Sequence, residues 1–381
     1  MNTHRYEVLG TIMGDFQNHF SNGIQKDTDF VWNKEEWAVL KFYKQSVMKM
    51  IAKDLEKSPF EYIFKKVEAA EVGSAGQHPP WEVQCLHRVR HCNRIVKPFQ
   101  ASYNEIDEFG DHTYNLIFKD YELGDLSVWR RNKFEDPIKT VPEAHLWRCL
   151  VHMTQALAVI HQQEGSTHKH RGTLIHGDIK PQNILVANNG SAYPSFKLHD
   201  FGLARVVFGR EDRRGPNFSG TFNWQPPETP YINTTYADIW AVGALIHYLA
   251  FDEDLVRPMQ PNWVDDLDEE DKHKVQEFQD RYSSDRQLYQ ALSRRIVSPI
   301  NLGEVSRIAK LDEVSLDEDE ELYTPKYSDR LNYWMMECLK FDPAERVTVK
   351  CLMEEMIPEA RAALLDLGGE KALTDFELVF D

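Results

Sequence analysis

Between Leu174 and Leu203 the chain sets two short apolar runs, Ile184-Leu185-Val186 and Phe196-Lys197-Leu198, directly against side chains that handle phosphate. Asp178, Lys180 and Asn183 fall within one short loop before the first run, and Asp200 follows the second. This constrains the fold more than any other stretch. The apolar runs have to be buried as strands, while the intervening turns must keep a carboxylate, an ammonium and an amide together. Such a set suits transfer of a phosphoryl group, where a protein positions a nucleophile, holds divalent metal and neutralises moving charge. In that chemistry Asp178 accepts a hydroxyl proton and Lys180 meets the γ-phosphate. Asn183 and Asp200 offer magnesium the hard oxygens it prefers. A turn rich in polar caps between buried strands is the plainer alternative.

The rest of the composition narrows the class. At 381 residues, 42% hydrophobic and 28% charged, the chain is long enough for one or two domains with a buried core. A formal net charge of −17 argues against non-specific nucleic-acid binding, which needs a basic footprint. Cys85, Cys92, Cys149, Cys338 and Cys351 are scattered, as in a reducing compartment. No signal-peptide pattern opens the chain, and the apolar run Trp240 to Phe251 is too short to span a bilayer. The expectation is a soluble intracellular protein, cytoplasmic or nuclear, with neither nucleic acid nor membrane as partner.

His176-Gly177-Asp178-Ile179-Lys180-Pro181-Gln182-Asn183, followed by Asp200-Phe201-Gly202, resembles the catalytic and metal loops of eukaryotic protein kinases. Leu116-Ile117-Phe118 followed by Gly124-Asp125-Leu126 and Trp129 is similar to protein kinases of filamentous fungi, marking a divergent member. The resemblance implies a bilobal α+β fold, with a small β-rich N-lobe, a larger mainly helical C-lobe and ATP between them. It divides the chain into an N-lobe over 1–120, carrying a helical insertion at 42–80, a C-lobe over 121–366 and a tail over 367–381. It also implies ATP and Mg2+ as cofactors and a protein substrate. Lys180 favours serine or threonine as acceptor.

Taken in order, further segments fit that pattern. Gly10-Thr-Ile-Met-Gly14 is a loose echo of the glycine hairpin that covers ATP phosphates, and ordinary turn glycines explain it equally well. Lys41, in the β-rich run Glu36 to Tyr43, resembles the strand lysine that bridges the α/β-phosphates and a helix glutamate; an outward lysine on an edge strand is the alternative. Val47, Met50, Ile51 and Leu55 recur at helical spacing, so Ser46 to Val72 reads as helical, with a second start at Ser58-Pro59-Phe60-Glu61. Trp81 to Asn93 resembles the end of the small-lobe helix, making Glu82 the chosen partner of Lys41, with Glu68 and Glu71 as alternatives. Tyr114 to Tyr121 resembles the last small-lobe strand and hinge. There Phe118 would guard the back of the adenine pocket, the backbone of Lys119 to Tyr121 would bond adenine, and Asp125 would reach the ribose.

Glu143 to Gln162 is an amphipathic helix, and His161, His168 and His170 sit in or beside a polar insert that reads as solvated loop. Thr221 resembles the threonine that bonds the catalytic Asp and Lys, and Pro226-Pro227-Glu228 the end of the activation segment. Asp238 resembles the aspartate that holds the catalytic-loop backbone, and Arg346 the arginine that pairs with the glutamate at Glu228. Two acidic runs, 265–271 and 317–321, read as solvated loops.

Three departures stand out. Gly177 replaces the arginine that normally binds a phosphorylated activation segment, so activity is not expected to be switched that way. The glycine hairpin is degenerate, and the Lys41 to Glu82 separation is long. The rivals are a nucleotide-binding pseudokinase and, behind it, a small-molecule kinase, since those also use His-Gly-Asp.

Overall fold

The computed structural model describes residues 37–44, 47–52, 61–68, 81–89, 91–98, 100–104, 113–134, 140–161, 172–207, 220–228, 234–256, scattered positions from 263 to 293, 295–302 and 327–380. The chain divides into two compact units, Met1–Glu122 with His199–Gly202 and Leu378–Asp381, and Leu123–Leu198 with Leu203–Glu377. The fold is α+β and bilobal: a small β-rich unit and a larger, mainly helical one.

The first unit is built on an antiparallel sheet of β1 (Trp37–Lys44), β2 (Val47–Ala52), β3 (Glu61–Glu68), β4 (Gln100–Asn104) and β5 (Thr113–Lys119). Their order is β1-β2-β3-β5-β4. Among the described residues one helix, α1 (Trp81–Arg88), accompanies it. The helical reading of 46–72, and with it the insertion at 42–80, is overturned here. Its described parts are β2 and β3, two strands of the sheet itself. The competing signal is a period of two. Met48 and Met50 alternate with Lys49, and Tyr62 and Phe64 alternate with Ile63 and Lys65. The register sets Met50 opposite Tyr62 and Met48 opposite Phe64. Met50, Tyr62, Phe64 and Ile117 then form one buried cluster. Cross-strand packing of this kind outweighs the helical spacing that Val47, Met50 and Ile51 happen to satisfy.

The second unit holds α2 (Leu126–Phe134), α3 (Glu143–Ile160), α4 (Thr235–Phe251), α5 (Asp329–Cys338) and α6 (Ile357–Gly368). Two short antiparallel pairs join them: β6 (Thr173–Ile175) with β9 (Arg205–Val207), and β7 (Ile184–Ala187) with β8 (Ser195–Leu198). From Leu146 to Ile160 every residue of α3 is buried, because α4, β8 and α6 pack around it. The apolar run Trp240 to Phe251 is the inner part of α4, a core helix. Thr234 caps its start, accepting the Tyr236 N–H at 3.2 Å. Among the described residues no helix is long and apolar enough to cross a membrane.

The stretch expected to be a tail, 367–381, is folded structure over its described residues, 367–380. α6 does end at Gly368, and Gly369 takes φ 62°. The chain then turns back onto the second unit. Buried Arg148 donates Nη1 to the Ala372 carbonyl at 2.6 Å, and buried Gln155 donates Nε2 to the Phe376 carbonyl at 2.9 Å. Further on, Asn93 and Val379 exchange bonds within the first unit, N–H to carbonyl at 3.0 Å and N–H to Oδ1 at 2.9 Å.

Candidate active site

The loop His176 to Asn183 joins β6 to β7, so both its ends are fixed by strand pairing. Its peptide N–H groups need acceptors, and α4 supplies one. Buried Asp238 accepts the His176 N–H on Oδ2 and the Gly177 N–H on Oδ1, each at 2.9 Å. It also takes a bond at 2.9 Å from Nε2 of buried His161. Asp238 therefore holds the loop backbone as expected. His168 and His170, named beside His161, lie outside the described residues, as do the run 317–321 and most of 265–271.

Within the loop, the Asp178 carboxylate is held on both oxygens. Thr221 Oγ1 donates to Oδ1 at 2.7 Å and Lys180 Nζ donates to Oδ2 at 2.7 Å. Asn183 Nδ2 donates to Oδ2 at 3.1 Å and to the Asp178 carbonyl at 2.7 Å. Lys180 also donates to Thr221 Oγ1 at 2.7 Å. The four side chains close one network, with Asp178 and Asn183 buried and Lys180 half-buried. A carboxylate fixed by charge-assisted bonds presents its oxygens in one orientation, as a positioned base requires. The Asn183 nitrogen faces Asp178, which turns its amide oxygen the other way as a hard donor suited to magnesium.

The first unit carries a second constellation. Lys65, on β3, donates Nζ to Glu82 Oε2 at 2.7 Å and to Asp200 Oδ1 at 3.0 Å. Glu82 lies in the first turn of α1 and is 5% exposed. Burial pulls the Lys65 ammonium down, but the Glu82 and Asp200 carboxylates more than offset it and leave it above the usual lysine range. Burial pushes the Glu82 carboxyl up, against the pull of Lys65, and the Asp200 charge adds to the rise. One cation between two carboxylates leaves a surplus of negative charge that a divalent cation would satisfy. Asp200 takes φ 63°, a left-handed conformation that aspartate tolerates better than most residues.

The expected pairing of Lys41 with Glu82 is corrected by this geometry. Lys41 is exposed on β1, its Cα opposite Lys49 of β2, and Glu82 is bound by Lys65 instead. Lys65 is hard to find in the sequence because its strand lies in a segment whose apolar spacing also fits a helix. The excessive Lys41 to Glu82 separation was the signal available. The choice of Glu82 stands; Glu71 lies outside the described residues. Gly10 and Gly14 lie outside the described residues. In the β1–β2 hairpin Lys44 faces Val47, with only Gln45 and Ser46 between them in sequence and no glycine.

At the end of the sheet, Phe118 is half-buried opposite Ile63, and Lys119 is exposed opposite Tyr62. Half-buried Tyr121 follows Asp120, which pairs with Lys49 Nζ at 2.8 Å. Asp125, expected to reach the ribose, caps the helix that follows it. Its Oδ1 accepts Ser127 N–H at 2.9 Å, Ser127 Oγ at 2.5 Å and Val128 N–H at 3.0 Å, capping α2.

A family model for the protein kinase domain matches residues 45–357. Among similar proteins, the probable serine/threonine-protein kinase nek2 of Dictyostelium discoideum is 31% identical over 171 residues, 44% of this chain and 37% of that protein. Serine/threonine-protein kinase tousled-like 1 of Caenorhabditis elegans is 26% identical over 167 residues, 41% of this chain and 15% of its own length. Serine/threonine-protein kinase 36 of Pongo abelii is 30% identical over 173 residues, 44% of this chain and 11% of its own. The chain spans well under half the length of these relatives.

Proposed function

The chain belongs to the protein kinase domain family, and from that premise we propose that it transfers the γ-phosphoryl group of Mg-ATP to serine or threonine hydroxyls of a protein substrate. The observation that carries this reading is the Asp178 carboxylate, held at once by Thr221, Lys180 and Asn183. In the reaction Asp178 takes the acceptor hydroxyl proton, and Lys180 faces charge on the moving phosphoryl group. Lys65, fixed by Glu82, meets the nucleotide phosphates, and Phe118 with the backbone of Lys119 to Tyr121 receives adenine. Asn183 and Asp200 would hold Mg2+, which would supply charge neutralisation at the phosphates. The names of the similar proteins support serine/threonine specificity, as does the bond between Lys180 and Thr221.

Gly177 bears on control. A glycine cannot grip a phosphate, and Thr221 already spends its hydroxyl on Asp178. Through this route activity therefore does not depend on phosphorylation of Ser219 or Thr221. Ser219→Ala is expected to keep its turnover; loss of activity in Ser219→Ala, restored by Ser219→Glu, would overturn this.

The test is phosphate transfer from Mg-ATP to a basic general protein substrate, wild type beside Asp178→Asn. Turnover falling by at least about 100-fold in the variant is the expected result. The β1–β2 hairpin, which lacks glycine, favours a second reading, a nucleotide-binding pseudokinase. Absence of turnover in both proteins, with Mg-ATP still raising the melting temperature, would establish it.

A further inference from the structure

The segment that carries Thr221 is held by buried groups with no part in the reaction described above. Phe222–Trp224 forms a single 3-10 turn. It is closed by Trp224 N–H donating to the Thr221 carbonyl at 3.0 Å and Gln225 N–H to the Phe222 carbonyl at 3.1 Å. Arg295, 3% exposed, lies against this turn. Its Nε donates to the Gln225 carbonyl at 2.9 Å, Nη2 to the Phe222 carbonyl at 3.1 Å and Nη1 to the Ser293 carbonyl at 2.8 Å. The Gln225 side chain, equally buried, donates Nε2 to the Gly177 carbonyl at 2.9 Å. Asn223 adds a bond to Asp254 Oδ2 at 2.5 Å, and Asp254 Oδ1 accepts the Val256 N–H at 2.9 Å.

Gly220 leaves no slack on the remaining side. At φ +102° it lies so close that a Cβ there would sit 2.3 Å from the Gly177 carbonyl oxygen and 2.3 Å from Gln225 Nε2. These ties meet on the residues flanking Thr221, whose hydroxyl bonds Asp178.

A guanidinium is costly to bury. Burial pulls the Arg295 side chain down to about 10, with Asp254 and Glu228 offsetting part of the drop. Its planar fork spans two carbonyls of one turn, a geometry that a point charge on a flexible stem cannot reproduce. The loop also joins to Gln225 at Gly177, the position where an arginine would otherwise await a phosphate.

We propose that Arg295 and Gln225 are positioning residues that lock the Phe222–Gln225 turn, and with it Thr221, against the catalytic loop, so that the protein acceptor meets a segment ordered by the fold rather than by phosphorylation. This rests on the kinase reading for its consequence, but the lock itself can be measured without it.

The experiment uses the full chain, with Arg295→Lys and Gln225→Met beside wild type, the second variant guarding against misfolding of the first. Two measurements are made. Hydrogen exchange at the Trp224 and Gln225 amides is expected to quicken at least about 10-fold in both variants. Transfer from Mg-ATP to a basic protein, after phosphatase treatment, is expected to persist in wild type. In the variants kcat is expected to fall about 10-fold while KM for ATP and the ATP-induced rise in melting temperature stay unchanged. Unchanged exchange overturns the lock. So does wild-type turnover abolished by phosphatase, or a variant that loses ATP binding and kcat together, the signature of general unfolding. A wild type inactive from the start, with exchange behaving as expected, leaves the lock standing and removes the kinase reading instead.

Discussion

Arg346 grips Glu228 at both ends of its guanidinium, Nη1 2.7 Å from Oε1 and Nη2 2.9 Å from Oε2, across 118 residues of sequence. The arginine is almost fully buried, stacks over Trp240 with its Cζ 5.1 Å from the ring centroid, and also donates to the Tyr236 and Lys340 carbonyls. Removing one member of such a pair leaves an uncompensated buried charge. Arg346→Met is therefore expected to lower the unfolding free energy by about 3–5 kcal/mol. Denaturant titration checks this, and a variant within experimental error of wild type would contradict it.

Lys65 and Lys41 separate cleanly by experiment. Lys65 touches both Glu82 and Asp200, whereas Lys41 is an exposed residue of β1. Lys65→Met is expected to reduce kcat/KM for phosphate transfer by about 100-fold or more, the scale of a lost transition-state contact to phosphate. Lys41→Met should stay within about a factor of two, as expected of an exposed surface position. Equal effects from the two substitutions would remove Lys65 from its assigned role.

Asp238 gives a prediction about the loop rather than about chemistry. Its carboxylate takes the His176 and Gly177 N–H groups in a buried setting. Asp238→Ala leaves those donors without their acceptor and is expected to destabilise the protein by about 3 kcal/mol or more. Hydrogen exchange at the two amides, slow in wild type, should become fast in the variant, and persistent protection would refute the assignment.

His145 supplies a pH dependence. Burial pulls its imidazole down to about 4, and Arg148 and Lys133 push the same way, against the Ala192 and Pro142 carbonyls. The ring lies beside Trp129 and Tyr193, with centroids at 5.5 and 5.7 Å. Because the folded protein binds this proton more weakly than the unfolded chain, its contribution to stability is complete above pH 6.5. It is lost as pH falls toward about 4. Wild type minus His145→Gln should therefore shrink in unfolding free energy by on the order of 2 kcal/mol between pH 7 and 4.5. A pH-independent difference, measured by urea titration, would count against it.

The catalytic loop was legible because its residues are few, close in sequence and dictated by chemistry: Asp178, Lys180, Asn183 and Thr221 meet in one network. Glu228 with Arg346 was legible for the same reason, a charge pair whose partners each sit in a short recognisable run. Lys65 was not, because β2 and β3 offer a few apolar positions that satisfy both a helical and a strand period. Only the opposing strand decides between them. The cap at Asp125 was not read from the sequence, because a carboxylate before a helix suits a cap as well as a ligand. The roles of Gln225 and Arg295 had no local signal at all, since their partners lie 48 and 70 residues away.

The acceptors of Arg148 and Gln155 carry a consequence for synthesis. They lie 224 and 221 residues further along the chain, at Ala372 and Phe376. During translation α3 leaves the ribosome long before either carbonyl exists, so for that interval a guanidinium and an amide at the heart of the unit lack those acceptors. The helical core can collapse early, yet it reaches its final polar pairing only when the last turns arrive. A nascent chain stalled short of residue 372 should accordingly be the species that chaperones hold and proteases remove.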